Sequence, residues 1–142
     1  MPLDLKMWDE FKSTWWSIEI APDWFAEREA ECTSIWREDG VGALQISAYK
    51  YESGLIPEDD LDDFMSREFP GNTPIESVTC GQFAGVGVEY VLDEKFWQKR
   101  WLTNGDLLVY VTYNCSSRSR SIETAAVDQM LATLKPLSEP AA

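Results

Sequence analysis

The chain has 142 residues, with 25 Asp and Glu against 12 Lys and Arg for a formal charge of −13, and it contains no His. The missing His excludes Ser-His-Asp and Cys-His catalysis, His-containing zinc sites and a His pH switch within one chain. The charge repels phosphate backbones and anionic lipid surfaces, so nucleic acid and membranes are poor partners.

The length suits a single domain, placed here at residues 1–135, with a flexible C-terminal tail over 136–142. Asp4, Lys6, Asp9 and Glu10 interrupt the start of the chain, which therefore offers no hydrophobic export signal and predicts a cytoplasmic protein. No apolar run approaches the ~18 residues of a membrane-spanning helix. The spacing of Leu5, Trp8 and Phe11 predicts a short N-terminal helix. Trp16, Ile18 and Ile20 alternate with Ser17 and Glu19, the period of a strand with one buried face, and Pro22 ends it.

Two further runs, Thr33 to Glu38 and Ala43 to Tyr51, flank Asp39-Gly40-Val41-Gly42 and predict an antiparallel hairpin, with the glycines permitting positive φ at the turn. From Pro57 to Phe69 the period changes. Leu61, Phe64, Met65 and Phe69 form one helical stripe, with Pro57 at the first helical position and Pro70-Gly71 as the stop. Three strands follow, at Ile75 to Cys80, Phe83 to Leu92 and Phe96 to Thr103.

Asn104-Gly105 between two β-rich runs predicts a type I′ hairpin. With those two residues as the loop, Trp101 faces Leu108, Lys99 faces Tyr110 and Trp97 faces Thr112. Phe96, Gln98, Arg100 and Leu102 then occupy the opposite face. After a polar loop over Asn114 to Ser119, a helix is expected from Ser121 to Leu134 with Val127, Met130, Leu131 and Leu134 on its apolar stripe. Strands interrupted by one helix and closed by another predict an α+β domain, a mostly antiparallel sheet packed by helices.

Three stretches carry a resemblance: Trp16-Ser17-Ile18-Glu19-Ile20-Ala21-Pro22-Asp23-Trp24, Gly42-Ala43-Leu44-Gln45-Ile46-Ser47, and Leu107-Leu108-Val109-Tyr110-Val111-Thr112-Tyr113 followed by a helix closing on Leu131 and Leu134. Together they resemble the fold family that joins the PsbP protein of photosystem II with the Ran-binding Mog protein, over about Trp15 to Leu134. The resemblance implies a PsbP/Mog-like sandwich used as a protein-binding module without chemistry of its own. It carries over no functional residue.

Cys32, Cys80 and Cys115 are odd in number, widely spaced and without a C-x-x-C pair, as expected of reduced buried thiols rather than disulfides or metal ligands. The run Glu58-Asp59-Asp60-Leu61-Asp62-Asp63 lacks the alternate spacing and Gly of an EF-hand loop and continues into helix core, which makes it a solvated helix start at the positive dipole end. No catalytic residue, metal site or cofactor follows from these patterns. Gly85-x-Gly87 sits inside a strand pattern, without the third Gly and following helix of a dinucleotide fingerprint.

Charge is uneven along the chain. Residues 1–71 hold 17 acidic and 6 basic side chains, net −11, whereas Lys95 to Arg120 has a net +4. The candidate binding residues are Trp97, Lys99, Arg100, Trp101 and Tyr110, an aromatic and basic group around the hairpin that either binds a partner or lies under the protein's own helix. The leading expectation is a non-catalytic cytoplasmic module whose acidic surface engages a basic protein, with an immunity or inhibitor-type protein as one form. The alternative is a small-ligand protein or enzyme with a pocket between helix and sheet near Asn104-Gly105.

Overall fold

A computed structural model describes residues 7–52 and 56–137. Ten strands and two helices follow in chain order: β1 (Asp9–Lys12), β2 (Trp16–Ile20), β3 (Trp24–Arg28), β4 (Thr33–Arg37), β5 (Gly42–Lys50), α1 (Glu58–Ser66), β6 (Glu76–Cys80), β7 (Phe83–Leu92), β8 (Lys95–Asn104), β9 (Leu107–Ser116), α2 (Thr124–Leu131) and β10 (Lys135–Pro136). The expected α+β class holds. Seven strands form one antiparallel sheet in the order β3-β4-β5-β9-β8-β7-β6, and β1-β2-β10 form a second, smaller one.

Alternation along the strands divides the large sheet into two faces. Ile35, Leu44, Ile46, Leu102, Val109, Val111 and Tyr113 join Trp16 and Ile18 of β2 and Val127, Met130 and Leu131 of α2 in the main core. Met65 of α1 covers Val88, Trp101 and Leu108 on the other face, with Leu61, Phe64 and Phe69 packed around them. The helical stripes read from the sequence are thus covering surfaces, although Phe69 and Leu134 lie past the ends of α1 and α2.

Several expectations need correction. Where an N-terminal helix was expected, Asp9–Lys12 is a strand that pairs Phe11 with Ile18, because a charged residue on each side of Phe11 suits alternation better than a helical stripe; Leu5 lies outside the described residues. The hairpin closes on Gly105-Asp106, with Asn104 paired to Leu107, so Trp101 faces Tyr110 and Lys99 faces Thr112. Only Gly105 of the two takes positive φ (61°), as a type II′ turn requires, rather than both as in type I′. The shift from the expected pairing is two residues, an even number, and every side chain keeps its face. The final helix is shorter than expected, and β9 runs through the first half of the expected polar loop, to Ser116. Of the tail expected over 136–142, Pro136 pairs with Trp16 and the Leu137 N–H donates to the Trp15 carbonyl at 2.8 Å, and 138–142 lie outside the described residues.

The β4–β5 connection is built around a buried charge. Glu123 is 1% exposed; its Oε1 accepts from the Tyr113 hydroxyl at 2.8 Å, and its Oε2 accepts from the Val41 N–H at 3.1 Å and Arg37 Nε at 3.2 Å. Neither Gly40 nor Gly42 is at positive φ, contrary to expectation. They are needed for close approach instead: a Cβ on Gly40 would lie 2.5 Å from Glu123 Oε2, and one on Gly42 would lie 2.7 Å from the Tyr113 hydroxyl. Glu123→Ala strands three donors and should lower unfolding free energy by about 3 kcal/mol, while Glu123→Gln keeps one acceptor oxygen and should lose about half as much. Urea unfolding of both variants measures this. Equal stability of Glu123→Ala and the parent would contradict it.

Candidate functional site

The α1 side of the large sheet is covered over only part of its width. In the covered part, Trp101 is fully buried, stacked at 5.2 Å on Tyr110 and edge-on to Phe64 and Phe69 at 6.2 and 5.7 Å. Strand pairing places a second group on the same face beyond the helix: Phe25 with Trp36, Ser34 with Gln45, Gln45 with Thr112, Thr112 with Lys99, and Asn114 with Trp97. No described helix lies over this group. Phe25 is 47% exposed, Gln45 is exposed, and Trp36, Trp97 and Asn114 are half-buried.

Between the two parts lies a shallow cavity of about 340 Å³, bounded by Glu31 and Cys32 at one end and by Glu68, Trp97 and Lys99 at the other. Its floor is Gln45, Ser47 and Thr112, short polar side chains that leave the sheet surface low. Lys99 is held there. Its ammonium donates to the Glu68 carbonyl at 2.7 Å, sits 3.9 Å from Glu68 Oε1, and lies over the Trp97 and Tyr90 rings at 4.9 and 5.6 Å. The Tyr110 hydroxyl donates to Glu68 Oε1 at 2.7 Å, and the Tyr90 hydroxyl to the Glu68 carbonyl at 3.1 Å. Glu68, just past the end of α1, therefore fastens the helix to β7, β8 and β9. Sequence reasoning missed it because nothing local marks a glutamate two residues beyond a helix as a tie point.

The expected site residues separate. Trp97, Lys99 and Tyr110 line the cavity, Trp101 is the buried seat of α1, and Arg100 points to the opposite face, where it meets Asp128 of α2 at 2.8 Å. The cavity beside the hairpin is a different one, about 320 Å³, lined by Trp15, Lys50, Asn104, Asp106 and Leu137 with no helical residue. Lys50 there reaches Asp106 at 3.1 Å and covers the Trp15 ring at 4.5 Å. Cys80 and Cys115 are buried and Cys32 is half-buried, all three as free thiols; burial pushes the Cys32 and Cys80 thiols above their ordinary range. Among the described residues, no three Cys, Asp or Glu side chains converge into a set able to hold a metal ion. No described helix is long and apolar enough to cross a membrane.

Neither the family sequence models nor the curated protein sequences hold a match to this chain. Solved structures do match in fold. The solution structure of cyanobacterial PsbP (CyanoP) from Synechocystis superposes with a TM-score of 0.59 at 10% identity, over 96% of this chain and 98% of that one. LpqN of Mycobacterium tuberculosis, described as involved in cell envelope biogenesis, gives 0.57 at 12% identity over 92% and 90%. A protein from Bacteroides thetaiotaomicron gives 0.61 at 15% identity and covers 92% of this chain, which spans 48% of that one. The fold is PsbP-like, as the sequence motifs implied, and at these identities the likeness extends to the fold alone.

Burial, and then the bonds to Glu68 and Glu123, raise the Tyr110 and Tyr113 phenols far above the ordinary value near 10. Below about pH 10 the folded and unfolded chains both keep these protons, and stability is indifferent to them. Above it the unfolded chain releases protons that the folded chain holds, so stability falls as pH rises. Urea midpoints between about pH 9 and 11 should therefore decline, and decline less steeply in Tyr110→Phe and Tyr113→Phe. Parallel slopes in parent and variants would refute the assignment.

Proposed function

We propose that the chain is a non-catalytic protein-binding module that engages a more basic protein through its acidic surface, docking on the open part of the sheet beside α1. The observation that carries this reading is where the positive charges go. Lys12, Arg37, Lys50, Arg67, Lys99, Arg100 and Lys135 are ion-paired with carboxylates, and Arg28 and Lys95 lie over the Phe11 and Trp97 rings. With so many cations engaged internally, the chain's excess of carboxylates faces outward. Asp59, Asp60 and Asp62 of α1 and Glu27, Glu29 and Glu31 of the β3–β4 hairpin are all exposed.

An aromatic patch with an acidic border is the surface expected to steer and then hold a basic partner: the charge speeds encounter, and Phe25, Trp36 and Trp97 supply apolar contact. An immunity or inhibitor-type protein that blocks a basic toxin is one concrete form. Three free thiols, at Cys32, Cys80 and Cys115, favour a reducing compartment such as the cytoplasm as the place of encounter.

Affinity capture from native lysate tests this with the parent and with Gln45→Arg, which places bulk and positive charge on the open face without removing a core group. A basic protein retained at low salt, depleted at about 0.3 M salt and lost with Gln45→Arg is the expected result. Recovery of no basic protein at low salt counts against the function, and retention by Gln45→Arg counts against this docking face.

A further inference from the structure

Gly85 and Gly87 of β7 face the α2 side of the large sheet, outside the open face on the α1 side. Beside Gly87 lies a cavity of about 230 Å³ whose lining includes Glu76 of β6, Glu89 of β7, and Gln98 and Arg100 of β8. Its floor is low because Gly87 contributes no side chain. A Cβ built there would lie 3.2 Å from Arg100 Cγ, 3.3 Å from the Lys99 carbonyl oxygen and 3.4 Å from Val78 Cγ1, tight contacts that include backbone. The volume suits a group the size of a single side chain rather than a drug-sized ligand.

The lining is rich in acceptors. Gln98 is 5% exposed and its Nε2 donates to Glu89 Oε1 at 2.6 Å, which leaves the carbonyl Oε1 as the unbonded end of the amide. Among the described residues that buried Oε1 has no hydrogen-bond partner. A buried acceptor left unmet is costly, and a donor delivered to it recovers that loss. Glu76 and Glu89 are exposed carboxylates at the rim. The one cation, Arg100, is only 14% exposed and is held by Asp128 at 2.8 Å. Acceptors therefore outnumber donors, and the local charge favours a cation.

We infer that the Gly87 cavity binds a primary ammonium group, carried by a small free amine or by a lysine side chain. An ammonium is a compact point charge with three donors, which matches three separate acceptors: Glu76, Glu89 and the Gln98 carbonyl. A guanidinium fits Glu89 less well, since its fork seeks two free oxygens of one carboxylate and one Glu89 oxygen is already engaged by Gln98. The Gln98 carbonyl is covered from water, so the ligand reaches it by a small rotation of the amide, while the carboxylates hold the charge at the rim.

The test is a titration followed by amide NMR on the full chain, with n-butylammonium chloride and Nα-acetyl-lysine methylamide as probes and tetramethylammonium chloride as a cation without N–H donors. Saturable shifts at Gly87, Glu89 and Gln98 with either primary ammonium are expected. Glu89→Gln should weaken binding about tenfold, and Gly87→Ala should weaken it by raising the floor. A response to both probes identifies the free amine as sufficient, and a response to the lysine derivative alone assigns the site to a polypeptide side chain. The proposal is overturned by an absence of saturation up to about 20 mM, by an equal response to tetramethylammonium, or by titrations of Glu89→Gln that match the parent. The spectrum of each variant reports its own fold, so failure to bind is separable from failure to fold.

Discussion

A seven-stranded sheet is roughly 29 Å wide, and a nine-residue helix is about 13 Å long. That disproportion governs the molecule. The α2 side of the sheet is closed by α2 together with β2 over a continuous apolar core, and it opens at the β6–β7 edge around Gly87. On the other side α1 covers the ground around Trp101 and Val88, and what lies beyond it must tolerate water. The side chains there follow suit: Ser34, Gln45, Ser47, Thr112 and Asn114, with aromatic groups at Phe25, Trp36 and Trp97. A sheet face that mixes small polar residues with half-exposed aromatics is suited to a partner's surface in a way that a packed core is not.

Two glutamates keep this arrangement in register. Glu123 joins the β4–β5 turn, β9 and the start of α2 through Val41, Tyr113 and Arg37, while Glu68 joins the end of α1 to Tyr90, Lys99 and Tyr110. The Glu123 carboxylate meets three donors, which is how a carboxylate out of water is stabilised, while Glu68 offers its backbone carbonyl to Tyr90 and Lys99 and its carboxylate to Tyr110. Both lie on a helix flank rather than inside a helix. The α2 face is tied by the more buried of the two, and the α1 face by the one that water reaches.

Much of the fold was legible because it depends on period. The two helical stripes, the β4–β5 hairpin and the long strands of the C-terminal half all have clear 3.6- or 2-residue repeats, and an even error in the Asn104-Gly105 register left every face assignment intact. β3 gave no such signal: Trp24 is buried, Phe25 exposed and Ala26 half-buried, a weak alternation suited to an edge strand. β1 and β10 are short, and only pairing with β2 makes them strands. The candidate site was half legible. Trp97, Lys99 and Tyr110 share a face because strand parity requires it, and Arg100 leaves that face by the same rule. How far α1 extends over that face, and therefore whether Trp101 or Trp97 is the exposed one, depends on packing between segments distant in sequence.

The uneven charge of the sequence also takes a definite form in the fold. The basic stretch from Lys95 to Arg120 divides, with Lys99 turned to Glu68, Arg100 to Asp128 and Lys95 onto Trp97, so it does not make a single basic patch. Hydroxyl-radical footprinting, read residue by residue, distinguishes an open sheet face beside α1 from a covered one. Strong oxidation of Phe25, Trp36 and Trp97 with protection of Trp101 and Trp16 is expected; protection of Trp36 and Trp97 equal to that of Trp101 would mean that this face is covered.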